Sequence, residues 1–122
     1  MKNHLLYTFL LIFLTTNSSC SSETCKEDQQ FKTKFDSCLQ LIYQYEKYQY
    51  PIEIDKKLDA VLFLNAVTGI EGKINSPHAP VYDNSTELKK DIRLWKKWYE
   101  ENKCNTTLEE AEKKLNKYNR GK

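Results

Sequence analysis

The chain is short of the residues on which most recognisable active sites are built. Its 122 residues contain two histidines, three glycines and three prolines. No G-x-S-x-G, H-E-x-x-H or C-x-x-C motif occurs, and no glycine loop of the kind that cradles phosphate. These absences remove the usual signatures of serine hydrolases, zinc peptidases, dithiol redox proteins and nucleotide binders. Long hydrophobic runs are also missing. A membrane-spanning helix needs about 20 apolar residues to cross roughly 30 Å of hydrocarbon, and the main apolar run, Leu5 to Leu14, stops well short of that. Charge of one sign is not in excess either. Setting Lys2 aside from the 19 basic residues leaves 18 against 17 acidic ones, so no overall field selects nucleic acid. There is no internal repeat and no low-complexity tract, and the length suits one small domain.

What is present begins at the N-terminus. Met1-Lys2-Asn3-His4 is followed by the apolar stretch Leu5 to Leu14 and then by polar Thr15, the order of a signal peptide's basic and hydrophobic regions. The small residues Thr15-Thr16-Asn17-Ser18-Ser19 lead to Cys20 and a polar stretch through Gln30. This arrangement resembles a bacterial lipobox, although Asn17 stands where such signals place an aliphatic residue. The resemblance implies cleavage before Cys20 and attachment of lipid to that cysteine. Ordinary signal peptidase cleavage between Ser19 and Ser21 is the alternative, and it adds no lipid. The expected organisation is a signal peptide over 1–19, a lipid-attachment cysteine and flexible tether over 20–30, and a small helical domain over 31–122.

Export places the four cysteines in an oxidising compartment, where a disulfide compensates a small domain for its limited core. Cys38 falls on the apolar stripe of the first predicted helix, and Cys104 lies in a short connection able to approach it. These two are the expected pair, with Cys25 in the lead-in and a pair of free thiols as the alternative. The spacing Cys20-x4-Cys25-x12-Cys38 does not suit zinc, and no metal or other cofactor is expected.

Four amphipathic segments organise the rest. Phe31, Phe35, Cys38, Ile42 and Tyr45 recur at spacings of four, three, four and three, predicting a helix over 27–49 that Pro51 limits. Asp55 to Thr68 reads as a mostly buried helix capped by Asp55 and ended by Gly69, with a buried strand as the alternative. Asn84, with Glu87 three residues on, caps a third helix carrying Leu88, Ile92, Trp95 and Tyr99 on one face. Thr106 or Thr107 caps a fourth with Leu108, Ala111, Leu115 and Tyr118. The fold class is therefore mostly α, a bundle of three or four helices with one long loop over 69–83.

Ala60-Val61-Leu62-Phe63-Leu64-Asn65-Ala66-Val67-Thr68-Gly69-Ile70 and Trp95-x-x-Trp98-Tyr99-x-x-Asn102 resemble segments of small, uncharacterised lipoproteins of Bacteroidetes-type bacteria. That likeness covers about half of the exported part. It implies a lipid anchor and brings no activity with it.

Two regions are candidates for contact with a partner. The rings of Trp95, Trp98 and Tyr99 lie within five residues and cover about half of a helix circumference, so at least one stands at the domain edge. The long loop holds His78 and Tyr82. His78, Tyr82, Trp98 and Tyr99 are the partner-binding candidates, while the competing reading places the aromatic rings in a core with Phe31, Phe35 and Phe63. From Ser85 to the end, 11 basic residues face 7 acidic ones, a mildly basic balance.

The leading expectation is a non-catalytic exported lipoprotein at the bacterial envelope. It would be tied to the membrane through its N-terminal lipid and bind another protein or envelope component. One alternative is a small enzyme using His78 with Glu71 or Asp83. Another is a secreted, disulfide-linked glycoprotein, for which Asn84 and Asn105 stand in acceptor sequences.

Overall fold

A computed structural model of the chain describes residues 24–48, 54–73, 82 and 84–121. The expected signal peptide over 1–19, with Cys20, Pro51, His78 and Asp83, lies outside the described residues. Among those residues there are four helices and no strand: α1 (Gln29–Tyr48), α2 (Ile54–Thr68), α3 (Ser85–Asn102) and α4 (Leu108–Arg120). None of them is long and apolar enough to cross a membrane.

The bundle is fastened at the corner where α1 begins, α3 ends and α4 begins. Asp28 places one carboxylate oxygen 2.8 Å from the Gln30 amide and 3.1 Å from the Phe31 amide, capping α1. Its other oxygen accepts from the amide of Leu108, the first residue of α4, at 3.0 Å. One carboxylate thus serves two helix N-termini, each offering unpaired N–H groups and the positive end of a helix dipole. These hydrogen bonds, the one from Leu108 foremost, hold the Asp28 carboxyl below the usual carboxylate range. Beside it, the Tyr99 hydroxyl donates to Glu27, and Cys25 is joined to Cys104. Residues 25–28 are therefore docked on the body, whereas their polar composition assigns them to a tether.

The disulfide differs from the expected Cys38–Cys104 pair. Cys104 sits at the corner and meets the lead into α1, with the Cα atoms of Cys25 and Cys104 5.2 Å apart. Cys38 lies ten residues beyond Asp28, about 15 Å further along the helix, outside the reach of a disulfide. It is a buried free thiol, and burial pushes its pKa up to about 11. The observed bond spans 79 residues, which in the chain-entropy model contributes roughly 4 to 5 kcal/mol.

The core follows from the spacing of apolar residues. Phe31, Phe35, Cys38, Leu39 and Ile42 form the buried stripe of α1. Helix α2 buries residues around most of its circumference, including Ala60, Val61, Phe63, Leu64 and Val67, and forms the centre of the bundle. Asp55 stands in its first turn, inside the helix that begins at Ile54. Trp95 is fully buried, and Tyr99 packs against Phe35 at 4.7 Å and Phe31 at 5.7 Å between ring centres. Asn84 caps α3 through the amides of Thr86 and Glu87. Of the two threonines, Thr107 is the cap of α4, in a reciprocal box with Glu110.

A second fastening holds the exit from α2. Gly69 takes the left-handed conformation at φ 71° that ends a helix, and its amide bonds Asn65. The side chain of Asn65 then accepts from the Gly72 amide at 2.9 Å and donates to Glu71 at 3.1 Å. The Trp95 indole N–H donates to the Ile70 carbonyl, Asp91 accepts from the Lys73 amide, and the Tyr118 hydroxyl donates to Glu71. Gly72 runs so close to the indole that an added Cβ would stand 2.9 Å from it. The start of the long loop, residues 69–73, is thus part of the packed body.

Because the folded carboxyl of Asp28 lies below its ordinary value of 3.8, its contribution is complete above that value and is lost as pH falls through the folded one. Asn at position 28 can still cap α1 through its oxygen but has no second acceptor for Leu108. Asp28→Asn should therefore lower the thermal midpoint at neutral pH and flatten its fall between pH 4 and 2, measured by circular dichroism (pH range about that of carboxylate titration). An unchanged midpoint and an unchanged acid slope would contradict the shared cap.

Candidate functional site

Helices α1 and α3 meet through rings at the fastened corner, where Phe35 stacks on Trp98 at 6.3 Å and packs on Tyr99. Towards the other end of both helices a cleft of about 720 Å³ opens between them. Tyr43 and Glu46 of α1 line one side, and Leu88, Ile92 and a row of basic residues on α3 line the other. A smaller hollow of about 250 Å³ shares Tyr43, Ile92 and Lys96 and reaches Leu39 and Asp36. Together they form a trough with an apolar floor. Tyr43 is 50 % exposed there, a large ring left half uncovered.

One end of the trough is built on an ion pair. Lys57 of α2 is fully buried, and its ammonium pairs with the Glu46 carboxylate and lies 3.9 Å from the centre of the Tyr45 ring. Burial lowers the Lys57 pKa, and the bond to Glu46 opposes that fall. The Tyr82 ring lies 5.9 Å from the same ammonium. Among the described residues its buried hydroxyl finds no hydrogen bond of normal geometry, and burial together with the nearby Asp91 carboxylate pushes it above the ordinary phenol range.

The residues expected to contact a partner are dispersed by the fold. Tyr99 is a core residue: it is buried against Phe31 and Phe35, and its hydroxyl is taken by Glu27. Burial, reinforced by that bond, holds its phenol above the ordinary range. Trp98 stands half-buried at the domain edge, with Phe35 on its ring and the Lys114 ammonium 5.5 Å from its centre. Tyr82 is buried and lines the cleft. His78 lies outside the described residues, and Glu71, a carboxylate suggested for it, is engaged by Asn65 and Tyr118.

Sequence reasoning missed both Lys57 and Tyr43. Lys57 carried a signal, since it is in register with Val61, Leu64 and Thr68 at spacings of four, three and four, a lysine on the buried face. Tyr43 is adjacent to the stripe of α1 and had none. Among the described residues, no group of three or more histidine, cysteine or acidic side chains could hold a metal ion. The cleft offers apolar contact area and positive charge, which is the chemistry of docking.

Comparison of the chain with protein-family models, with curated proteins and with solved structures finds no match.

The ion pair has an asymmetric consequence. Removing Glu46 leaves a buried ammonium unpaired, whereas removing Lys57 leaves a carboxylate that borders the cleft and can be hydrated. Glu46→Leu should cost about 3 kcal/mol, and Lys57→Met should stay within about 1 kcal/mol of the parent, both measured by urea denaturation. Equal losses in the two variants would show that the ammonium is not the constrained partner.

Proposed function

We propose that this protein is a non-catalytic module exported to the bacterial envelope, held there by lipid on Cys20. In this reading it binds another protein or an envelope component through the α1–α3 cleft. The observation that carries it is the disulfide between Cys25 and Cys104, both of which are exposed. An accessible disulfide persists in an oxidising compartment and is reduced in a cytosol buffered by thiols, which agrees with the export-type N-terminus. Further support comes from the cleft, an apolar trough of ligand-pocket size, since such pockets run from roughly 300 to 1,000 Å³.

The disulfide also orients the module in this reading. Four residues lie between Cys20 and Cys25, so five residue steps give a reach of at most about 18 Å. The corner bearing Cys104 would then face the membrane. The cleft lies towards the other end of α3, between Lys96 and Leu88, about 12 to 24 Å along the helix axis from Cys104. A lipid-tethered domain would thus hold its cleft away from the bilayer, where a partner can enter.

Intact mass and detergent partitioning of the chain expressed with its own N-terminus test the proposal. The expected product begins at Cys20, carries acyl chains, has Cys25 and Cys104 oxidised, and leaves Cys38 as its one alkylatable thiol after unfolding. Cys20→Ser should move it from the detergent phase to the aqueous phase. Full-length cytosolic material with reduced thiols would overturn the reading, and a soluble, glycosylated product without lipid would replace it with the secreted alternative.

A further inference from the structure

Lys89, Arg93 and Lys96 recur at spacings of four and three, so they stand in one exposed row along α3 above the floor of the cleft. Among the described residues none of the three has a carboxylate at ion-pair distance, while Lys32, Lys57, Lys73, Lys97, Lys103 and Lys113 each do. Like charges at these spacings repel one another and weaken the helix that carries them. On the facing wall the charge of Glu46 is taken by Lys57, which leaves Asp36 at the far end as the other carboxylate of the lining. The trough therefore joins an apolar floor to one uncompensated basic rim.

We propose that the cleft is a docking groove for an acidic amphipathic helix. Its aliphatic side chains enter between Tyr43 and Ile92, and its Asp and Glu side chains lie along Lys89, Arg93 and Lys96. The inference rests on the cleft being a binding surface and is independent of lipid on Cys20. Charge complementarity sets the sign of the partner, because an acidic face supplies the counter-charges that the rim lacks. The shape sets its form. Asp36 to Glu46 spans about 15 Å of α1 and Lys89 to Lys96 about 10 Å of α3, a trough two to three turns long between two helices, which suits a third helix with apolar residues at i, i+3, i+4 and i+7. An anionic bilayer surface would meet the basic row without reaching the floor.

The test uses the full chain in mild detergent and a fluorescent synthetic peptide of about 14 residues, with leucines at helical spacing flanked by glutamates. Two control peptides have the leucines scrambled or the glutamates replaced by lysines. Anisotropy should show saturable binding of the acidic peptide alone, and NMR should place the shifted resonances at Tyr43, Leu88 and Ile92. Reversing the rim with Lys89→Glu, Arg93→Glu and Lys96→Glu together should weaken binding at least about tenfold. All three residues are exposed, so circular dichroism should show the same fold in that variant. Tyr43→Ala, which leaves the rim intact, should also weaken binding. Equal binding by the rim variant, equal binding of the scrambled peptide, or no saturable binding would overturn the inference. So would binding to phosphatidylglycerol vesicles without binding to the peptide. Should the peptide fail while the chain still carries acyl mass and partitions into detergent, the envelope reading stands and this partner chemistry falls.

Discussion

The carboxylate of Asp28 lies between two helix N-termini, and the arrangement of the bundle depends on that position. A helix start leaves amide hydrogens unpaired and carries a partial positive charge. Bringing the starts of α1 and α4 together would leave two such ends facing each other, and Asp28 answers both by accepting from Gln30, Phe31 and Leu108. The Cys25–Cys104 disulfide and the Tyr99–Glu27 hydrogen bond hold the same four-residue lead in place. Immediately beneath it, Phe31, Phe35 and Tyr99 pack ring against ring. Polar and apolar fastenings therefore coincide at one corner, and α1 and α3 are joined there.

The opposite end of these two helices is built differently. Helix α2 passes through the centre, and its exit is fixed by Asn65, Trp95, Asp91 and Tyr118, so α2, α3 and α4 are tied together around residues 69–73. Gly72 is required for that closeness because a Cβ would strike the buried indole. Between α1 and α3 the corresponding space is the cleft, bounded at one end by the Lys57–Glu46 pair. The walls of the trough are anchored elsewhere in the body, an arrangement that would lower the ordering cost of the docking proposed for it.

Much of this architecture was legible in the chain. The spacing from Phe31 to Ile42, the glycine at 69 and the cap at Asn84 each follow a local rule, and the structure obeys them. Failures occurred where a residue acts over a distance. Asp28 reads as an acidic residue favouring one helix start, because nothing local reveals that α4 begins beside it. Cys25 reads as part of a tether because its neighbours are polar, although three of the four residues from Cys25 to Asp28 make long-range contacts. Lys57 shows its burial through periodicity, but its partner Glu46 lies eleven residues away on another helix. The rings of Trp98 and Tyr99 could be divided between edge and core only once Phe35 and Glu27 were in place. The basic row on α3 was visible as charge, and its value as a rim depends on a cleft that no pattern along the chain predicts.

The central claim, that one carboxylate binds two helix starts, is tested most directly by titrating the Asp28 side-chain carboxyl by carbon-detected NMR while following the amide protons of Phe31 and Leu108. The account predicts a midpoint below the ordinary aspartate value of 3.8, shared by both amides. A midpoint at or above that value, or a Leu108 amide that ignores the titration, would contradict it.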